Sequence, residues 1–279
     1  MVRTFLYGLD MPHLGDAMSL TGPRSESWFP LDLRVESGNA PDGTAFTASA
    51  GRAELTVAGD LSVHVRREPG FTAVVTSPRP VADSRLVHPV LAFVGAVVAR
   101  WTDRVPLHAA SVVVGGRAWL LAAPPEGGKS TAAACLAERG HPVLADDLTV
   151  LAGRTVLAGP RSADLREPTV TALEGLRAGA DAVPGGRWRR SLGAAPHEAP
   201  LGGIVLLEWG ERFEVRPLGP VERLAALAAH DALSQGPASP AAFLDLLDVP
   251  MYAVRRPRRW DALESSLSAL ERLLTTGGA

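Results

Sequence analysis

The sequence predicts an α/β protein with a mixed sheet, preceded by a smaller β-rich N-terminal region. An apolar strand over 117–122 leads through a glycine-containing loop into a helix over 129–139, and another apolar strand begins at 142. Gly115-Gly116 is a two-residue turn of the kind that joins antiparallel strands, which adds a strand over 107–114. Strands that alternate with helices in this way are typical of α/β folds.

The first part of the chain has a different pattern. Residues 47–67 alternate loosely between apolar and polar side chains, which favours strands. Pro78-Arg79-Pro80 marks a boundary, and 87–101 then predicts a helix with an apolar face. We therefore divide the chain into a β-rich region over 1–85, which either helps to bind a substrate or is purely structural, and an α/β domain over 86–279.

The composition indicates a globular protein of the cytoplasm. Apolar residues make up 46% and charged residues 21% of the 279, and the net charge of −2 gives no basic field for nucleic acid. Cys135 is the single cysteine, which excludes an internal disulfide. The apolar run over 86–99 is too short for a membrane span of about 20 residues. Residues 1–6 lack the apolar core of a signal peptide, so no membrane partner is expected.

Lys129 is the only lysine among 28 basic residues, and it lies in the segment Ala-Pro-Pro-Glu-Gly-Gly-Lys-Ser-Thr over 123–131. This segment nearly matches the phosphate-binding loop G-x-x-x-x-G-K-[ST]. Backbone amides at a helix N-terminus bind anions, and lysine adds a compact positive charge. The predicted nucleotide-binding residues of the segment are Glu126, Gly127, Gly128, Lys129, Ser130 and Thr131.

One residue of the loop departs from this pattern, and the three residues after it are unusual beside a phosphate. Ala123 stands where the pattern has its first glycine, and Pro124 and Pro125 donate no N–H group. Glu126 places a carboxylate beside a polyanion, so we expect it to point outward or to take part in metal binding. These departures motivate one alternative function, a nucleotide-binding module that has lost catalysis.

The strand register brings a histidine to the loop. Val114 pairs with Arg117 across the glycine turn in the expected antiparallel register. Ser111 then faces Leu120, and His108 faces the first residue of the loop. A histidine at this position is a candidate for function rather than an ordinary core residue.

Two aspartates are predicted to emerge at the same place. The strand–loop–helix–strand unit over 117–145 predicts a right-handed crossover with parallel strands. Because parallel strands end at the same edge of a sheet, Asp146 and Asp147 should lie beside the phosphate-binding loop. Three separate pieces of sequence thus converge on one position.

These residues suit phosphoryl transfer. Ser130 and Asp147 are predicted to hold Mg²⁺, which takes few carboxylates and completes its shell with phosphate oxygens. Asp146 is predicted to accept the proton of a hydroxyl acceptor, although spacing alone hardly separates the two aspartates. His108 and Lys129 complete the predicted catalytic set.

Arginine clusters are the remaining candidates. Guanidinium groups stabilise the charge on a transferring phosphoryl group. The clusters over 161–166 and 187–190 supply Arg166 and Arg189 as predicted nucleotide-binding residues. The arginine run over 255–259 is predicted to lie on the surface.

The segment over 107–147 resembles the catalytic core of the HPr kinase/phosphorylase family. The shared features are a histidine in the strand before the loop, Gly-Lys-Ser at 128–130, and Gly-His followed four residues later by Asp-Asp at 140–147. Asp164-Leu165-Arg166 is similar to the family's downstream acidic-x-Arg segment. Gly186-Arg187 resembles its later Gly-Arg signature.

The chain is closer still to the HPr-kinase-like proteins of lasso-peptide and other ribosomal-peptide biosynthesis, through 159–166 and 200–210. Some of these phosphorylate a serine near the end of a precursor peptide. The resemblance implies a phosphoenolpyruvate-carboxykinase-like P-loop kinase core and the cofactors ATP and Mg²⁺. It also implies transfer to a serine or threonine of a peptide or protein, with His108 as an electrostatic partner.

Two other functions stay open beside this one. They are a nucleotide-binding accessory or sensor protein without catalysis, and a kinase of small-molecule hydroxyl groups. The identity of the acceptor and any phosphorylase activity are not encoded in readable motifs. A homo-oligomer is expected only by analogy with the related kinases.

Overall fold

The computed structural model describes residues 3–12, 28–235 and 239–277, which form three sheets and eight α-helices. Two of the sheets are mixed, which confirms the predicted α/β class with a mixed sheet. The predicted N-terminal region includes residues 1–2 and 13–27, which lie outside the described residues.

The N-terminal sheet has seven strands in the order β1-β2-β3-β7-β6-β5-β4. Their bounds are β1 (Arg3–Leu6), β2 (Leu9–Pro12), β3 (Phe29–Ser37), β4 (Ala45–Ala48), β5 (Arg52–Val57), β6 (Leu61–Arg66) and β7 (Phe71–Ser77). β2 and β7 both run parallel to β3, whereas the other pairs are antiparallel. One face of this sheet packs into a core that continues into the rest of the chain, and the division at residue 85 stays a prediction.

Most of the second sheet comes from the segment that carries the motifs. Its first strands are β8 (Val105–Leu107), β9 (Ala109–Val114), β10 (Arg117–Ala122), β11 (Val143–Ala145), β12 (Thr149–Ala152) and β13 (Thr155–Leu157). A separate antiparallel sheet holds β14 (Ser162–Arg166), β15 (Ala180–Val183) and β16 (Arg187–Ser191). The second sheet is completed by β17 (Glu198–Trp209), β18 (Glu214–Pro217) and β19 (Met251–Arg256).

The register around the glycine turn is as predicted. Val114 lies opposite Arg117, and Ser111 lies opposite Leu120. β11 is antiparallel to β9, which is antiparallel to β10, so β10 and β11 run parallel with β9 between them. Asp146 follows the last residue of β11 directly, so it leaves the sheet at the edge where β10 enters the loop.

The helices are α1 (Asp83–Arg85), α2 (Ala92–Trp101), α3 (Lys129–Glu138), α4 (Glu167–Ala172), α5 (Glu174–Arg177), α6 (Pro220–Ala229), α7 (Pro240–Leu244) and α8 (Leu263–Thr276). The single helix predicted over 87–101 is wrong in its first turn. His88 has extended backbone angles, φ −141° and ψ 125°, because a residue before proline avoids the helical conformation. This kink turns His88 away from the helix that begins at Ala92.

Small residues let α3 pack closely on the second sheet. Its buried face consists of Ala132, Ala133, Ala134 and Leu136, in one core with α8. A second core lies around α2, between the N-terminal sheet and β8 to β12. Within the described residues, no helix is both long and apolar enough to span a membrane.

Candidate functional site

The loop over 123–128 joins β10 to α3 in a tight conformation. Glu126 and Gly128 both have left-handed backbone angles, with φ of +64° and +78°. The Gly127 amide donates to the carbonyl of Pro124 at 2.9 Å. A methyl group on Gly127 would lie 2.6 Å from the Cβ of Ala123. Glycine at 127 therefore makes room for the alanine that replaces the usual first glycine.

A buried cation holds the outer side of this loop. Arg256 is only 5% exposed, and its Nη2 donates to the carbonyl of Gly127 at 2.7 Å. Its guanidinium lies 4.3 Å from the ring centre of Trp209. The Trp209 indole in turn donates to the carbonyl of Glu126 at 3.3 Å. Two successive loop carbonyls are thus fixed by side chains from the ends of β17 and β19.

The position of Arg256 corrects a prediction. The run over 255–259 was expected on the surface, and Arg255, Arg258 and Arg259 are indeed exposed. Arg256 is buried because successive strand residues point to opposite faces, and β19 extends to this residue. Burial lowers the pKa of Arg256 to about 10, which leaves it charged at neutral pH.

Two predicted nucleotide-binding residues face away from the loop interior. Glu126 points outward, one of the two arrangements expected for it, and pairs with Arg166 at 3.1 Å and with Arg258 at 3.5 Å. The Thr131 hydroxyl lies 3.0 Å from that of Thr169 on α4. Arg166 therefore reaches the loop, through a surface ion pair with its carboxylate.

Lys129 and His108 form the inner side of the site. The Lys129 Nζ lies 2.8 Å from Nε2 of His108 and 3.8 Å from Oδ1 of Asp147. Nδ1 of His108 lies 3.3 Å from the same Oδ1. A protonated lysine cannot accept a hydrogen bond, so Nε2 accepts and Nδ1 carries the ring proton. Burial, together with the charge of Lys129, lowers the pKa of His108, so a neutral imidazole links the lysine to the carboxylate.

Ser130 and Asp146 form a second pair. The Ser130 hydroxyl donates to Oδ1 of Asp146 at 3.0 Å, and Asp146 is 8% exposed. Burial raises the pKa of Asp146 to about 6; the charge of Lys129 opposes this shift, and that of Asp147 adds to it. The structure thus brings Ser130 to Asp146, whereas the sequence had paired Ser130 with Asp147 as metal ligands.

Asp147 has the opposite electrostatic environment. Its φ of +72° lies in the left-handed region, which is costly for a residue other than glycine and is often found at functional sites. Oδ2 lies 3.3 Å from Nδ1 of His88. Burial opposes its ionisation, but the hydrogen bond from His88 and the charge of Lys129 outweigh burial and hold the pKa of Asp147 well below its usual range. Two adjacent carboxyl groups therefore ionise in separate pH ranges.

A cleft with a cavity of about 70 Å³ lies beside both aspartates. Arg189 donates to both carboxylate oxygens of Asp164 at 2.6 Å, and its Nη1 donates to the carbonyl of Ser84 at 2.7 Å. The side chain of Arg187, two residues earlier on β16, makes no ion pair or hydrogen bond with any residue that the structure describes. The cleft is lined by Tyr7, Val87, His88, Ala92, Ser130, Asp146, Asp147, Pro160, Ser162, Asp164, Arg187 and Arg189.

Sequence reasoning missed four residues of this site: Tyr7, His88, Trp209 and Arg256. Each comes from a segment distant from the loop, and no local motif marks it. One signal was available for His88, because His88-Pro89 interrupts an otherwise apolar run. The other three are fixed by long-range packing.

The donors present fit a magnesium nucleotide. No group of three or more His, Cys, Asp or Glu side chains in the described ranges could hold a metal ion by itself. Mg²⁺ does not need one, since it binds to one or two carboxylates together with phosphate oxygens. The Ser130 hydroxyl has lone pairs left while it donates to Asp146. Asp146 is a buried carboxylate whose burial outweighs the charge of Lys129. Lys129 stands one residue away at the start of α3.

Comparisons with known proteins identify no family. No protein-family profile matches the chain, and no curated protein matches it either. Among solved structures, the HPr(Ser) kinase/phosphatase from Coxiella burnetii aligns with 60% of this chain and 96% of its own, at 12% identity and a TM-score of 0.29. A TM-score this low does not establish a shared fold or function, so the evidence for function is the geometry of the site.

Proposed function

We propose that this chain is a kinase that transfers the γ-phosphoryl group of ATP, with Mg²⁺, to a serine or threonine hydroxyl of a peptide or protein. One observation carries the proposal: the first two residues of α3 each contact one aspartate at the end of β11. The Ser130–Asp146 distance is 3.0 Å and the Lys129–Asp147 distance is 3.8 Å. The sequence resemblance to HPr-kinase-like peptide kinases, with their phosphoenolpyruvate-carboxykinase-like core, supports the same assignment.

Lys129 is the residue that would reach the β- and γ-phosphates. It is buried, so its charge is poorly screened by water, and burial lowers its pKa despite the two aspartates. The free amides at the start of α3 add partial positive charge. Arg256 holds the carbonyl of Gly127, and Trp209 that of Glu126, so both loop carbonyls are turned outward, away from the place proposed for the phosphates.

The contacts favour an exchange of the roles predicted for the two aspartates. Ser130 and Asp146 would hold Mg²⁺, because the Asp146 carboxylate is buried and its burial outweighs the charge of Lys129, so a cation beside it would relieve an unfavourable charge. Asp147 would accept the proton from the acceptor hydroxyl. Its basicity is suppressed here by Lys129 and the histidines, and it rises when Lys129 engages phosphates instead.

Arg187 would stabilise the transferring phosphoryl group. It lies on the cleft wall and has no anionic partner among the residues that the structure describes. A guanidinium in that position matches charge spread over phosphoryl oxygens. Arg189 has a different role, since its donors are used to fix Asp164 and the carbonyl of Ser84.

The test is transfer of radiolabelled phosphate from ATP, with Mg²⁺, to a pool of heptapeptides that each carry one central serine, threonine or tyrosine. We expect labelled serine or threonine peptides. Asp147→Asn should lower the rate by roughly 10²- to 10⁴-fold and leave ATP affinity within a few-fold. Asp146→Asn should instead raise the Mg²⁺ concentration that gives half of the maximal rate.

Three outcomes would contradict the proposal. ATP binding by calorimetry with no transfer to any peptide indicates the sensor protein. Transfer to free serine but to no peptide indicates a small-molecule kinase. Absence of ATP binding would contradict the proposed kinase and both alternatives.

A further inference from the structure

The N-terminal hairpin sends one aromatic side chain into the candidate site. Tyr7 forms the turn between β1 and β2, where its φ of +55° puts it in the left-handed region. Its amide donates to the carbonyl of Ala158 at 2.6 Å, which ties the hairpin to the second half of the chain. The tyrosine is 3% exposed, and it lines the cleft beside Asp146 and Asp147.

Two glycines make the space for this ring. A methyl group on Gly95 of α2 would lie 2.7 Å from the base of the Tyr7 ring. A methyl group on Gly159 would lie closer still, at the hydroxyl end of the ring. Real Cβ atoms do not approach at such distances, so the ring occupies a slot that only glycine allows. The orientation of the side chain is therefore fixed by packing along its whole length.

The hydroxyl group of Tyr7 has no hydrogen-bond partner among the residues that the structure describes. Burial, and after it the charges of Asp147 and Asp146, raise the pKa of Tyr7 well above its usual range. The phenol is therefore a neutral O–H donor at any physiological pH. The hydroxyl borders the cleft, so its O–H group can donate a hydrogen bond to a ligand that enters there.

We infer that Tyr7 is an acceptor-binding residue that donates a hydrogen bond to a neutral oxygen of the acceptor segment and forms the floor of a cleft for a short hydroxyl side chain. This inference rests on the proposed kinase function. A neutral oxygen is favoured because the adjacent carboxylates of Asp146 and Asp147 repel an anion. The cleft holds a volume of about 70 Å³, less than the roughly 150 Å³ that enclose a benzene ring, which favours the short side chain of serine or threonine over that of tyrosine.

The main test is Tyr7→Phe, which keeps the ring in its slot and removes only the hydroxyl. With the heptapeptide pool and ATP, we expect the KM for a serine peptide to rise about tenfold, the effect of one hydrogen bond. ATP affinity and the melting temperature should not change. The only other tyrosine supplies a matched control: Tyr252→Phe removes a hydroxyl that donates to the carbonyl of Gly277 at 3.1 Å and should leave the KM unchanged.

A second variant displaces the ring without altering it. Gly159→Ala places a methyl group against the Tyr7 ring, so peptide transfer should fall while calorimetric ATP binding persists. Combined with Tyr7→Ala, the same change should cost no further activity, because the ring it displaces is gone.

The outcomes separate the two proposals. If the unaltered protein phosphorylates no peptide, the proposed function fails and this inference falls with it. If it phosphorylates serine peptides but Tyr7→Phe has the same KM, only the inference fails. Tyrosine peptides that are phosphorylated as fast as serine peptides would overturn the size limit.

Discussion

The phosphate-binding loop and the cleft lie side by side but are built in opposite ways. The loop is one continuous segment over 123–131, whose carbonyls are fixed from outside by Arg256 and Trp209. The cleft is assembled from six separate segments of the chain, with Tyr7 and His88 from the first third. Its lining includes charges of both signs, from three carboxylates and two guanidinium groups.

Because of this difference, substitutions in the two regions should alter different binding steps. The loop depends on a few strong hydrogen bonds, so single substitutions that remove one should alter nucleotide binding and leave acceptor binding unchanged. The cleft depends on packing between remote segments, so substitutions there should alter acceptor binding first. Lys129 and Asp146 lie where the two regions meet, so variants at these two residues should affect both nucleotide binding and transfer.

The largest effect is expected for Lys129→Arg. The positive charge remains, but a planar fork cannot occupy a buried position 2.8 Å from His108 and 3.8 Å from Asp147. We expect kcat/KM to fall on the order of a hundredfold or more. Arg154→Lys, at an exposed ion pair with Asp248, is the control. A variant that keeps a third of the activity would show that Lys129 does not contact phosphate.

Asp146→Asn should raise the free energy of unfolding at neutral pH, because the buried carboxylate destabilises the folded protein. The carboxyl pKa rises from 3.8 to about 6 on folding. The folded protein therefore binds this proton more tightly, and the stability that this group contributes is complete below about pH 4 and is lost as the pH rises through 6. Roughly two pKa units correspond to about 3 kcal/mol. At pH 7 without metal, Asp146→Asn should be more stable by up to that amount.

Urea unfolding at pH 4 and pH 7, with a chelator present, measures this effect. The free energies of unfolding should converge at pH 4, where both proteins carry a neutral side chain at 146. Equal stability at pH 7 would mean that the buried carboxylate carries no such cost.

Arg256→Met should weaken the loop from outside. Methionine fills the space beside Trp209 but cannot donate to the Gly127 carbonyl, so the loop loses its pre-formed shape. We expect ATP to bind about tenfold more weakly, as for one charged hydrogen bond, with an unchanged peptide KM. The adjacent Arg255→Met is a matched control, since Arg255 is exposed and its ion pair in the described part of the chain is with Glu208. Equal ATP affinity in the two variants would contradict a role for Arg256 in positioning the loop.

Glu126→Gln should have the smallest effect. Its carboxylate is half exposed and pairs with Arg166 and Arg258 on the surface, where ion pairs contribute little to stability. Removal of the negative charge beside a polyanion should tighten ATP binding roughly two- to threefold at low salt, and less at high salt. Weaker binding in calorimetry would indicate that Glu126 itself contributes to the nucleotide site.

The central part of the site follows from local sequence. A glycine turn fixed the register of Val114 against Arg117, and the end of β11 placed Asp146 beside the loop, as strand direction requires. Tyr7 could not be predicted, because its slot exists only when Gly95 and Gly159 come together from distant elements. Arg256 could not be distinguished from the other arginines of its run by sequence. Its side chain points inward because β19 extends to residue 256, and the sequence does not show where that strand ends.

The solitary lysine also makes this protein chemically addressable. Lys129 carries the only ε-amine of the sequence, and its burial shifts the amine toward the neutral, nucleophilic form. A small acylating reagent should therefore modify the phosphate-binding loop at a single side chain, and bound nucleotide should protect it. The same property would allow one acetyl group to silence the whole site.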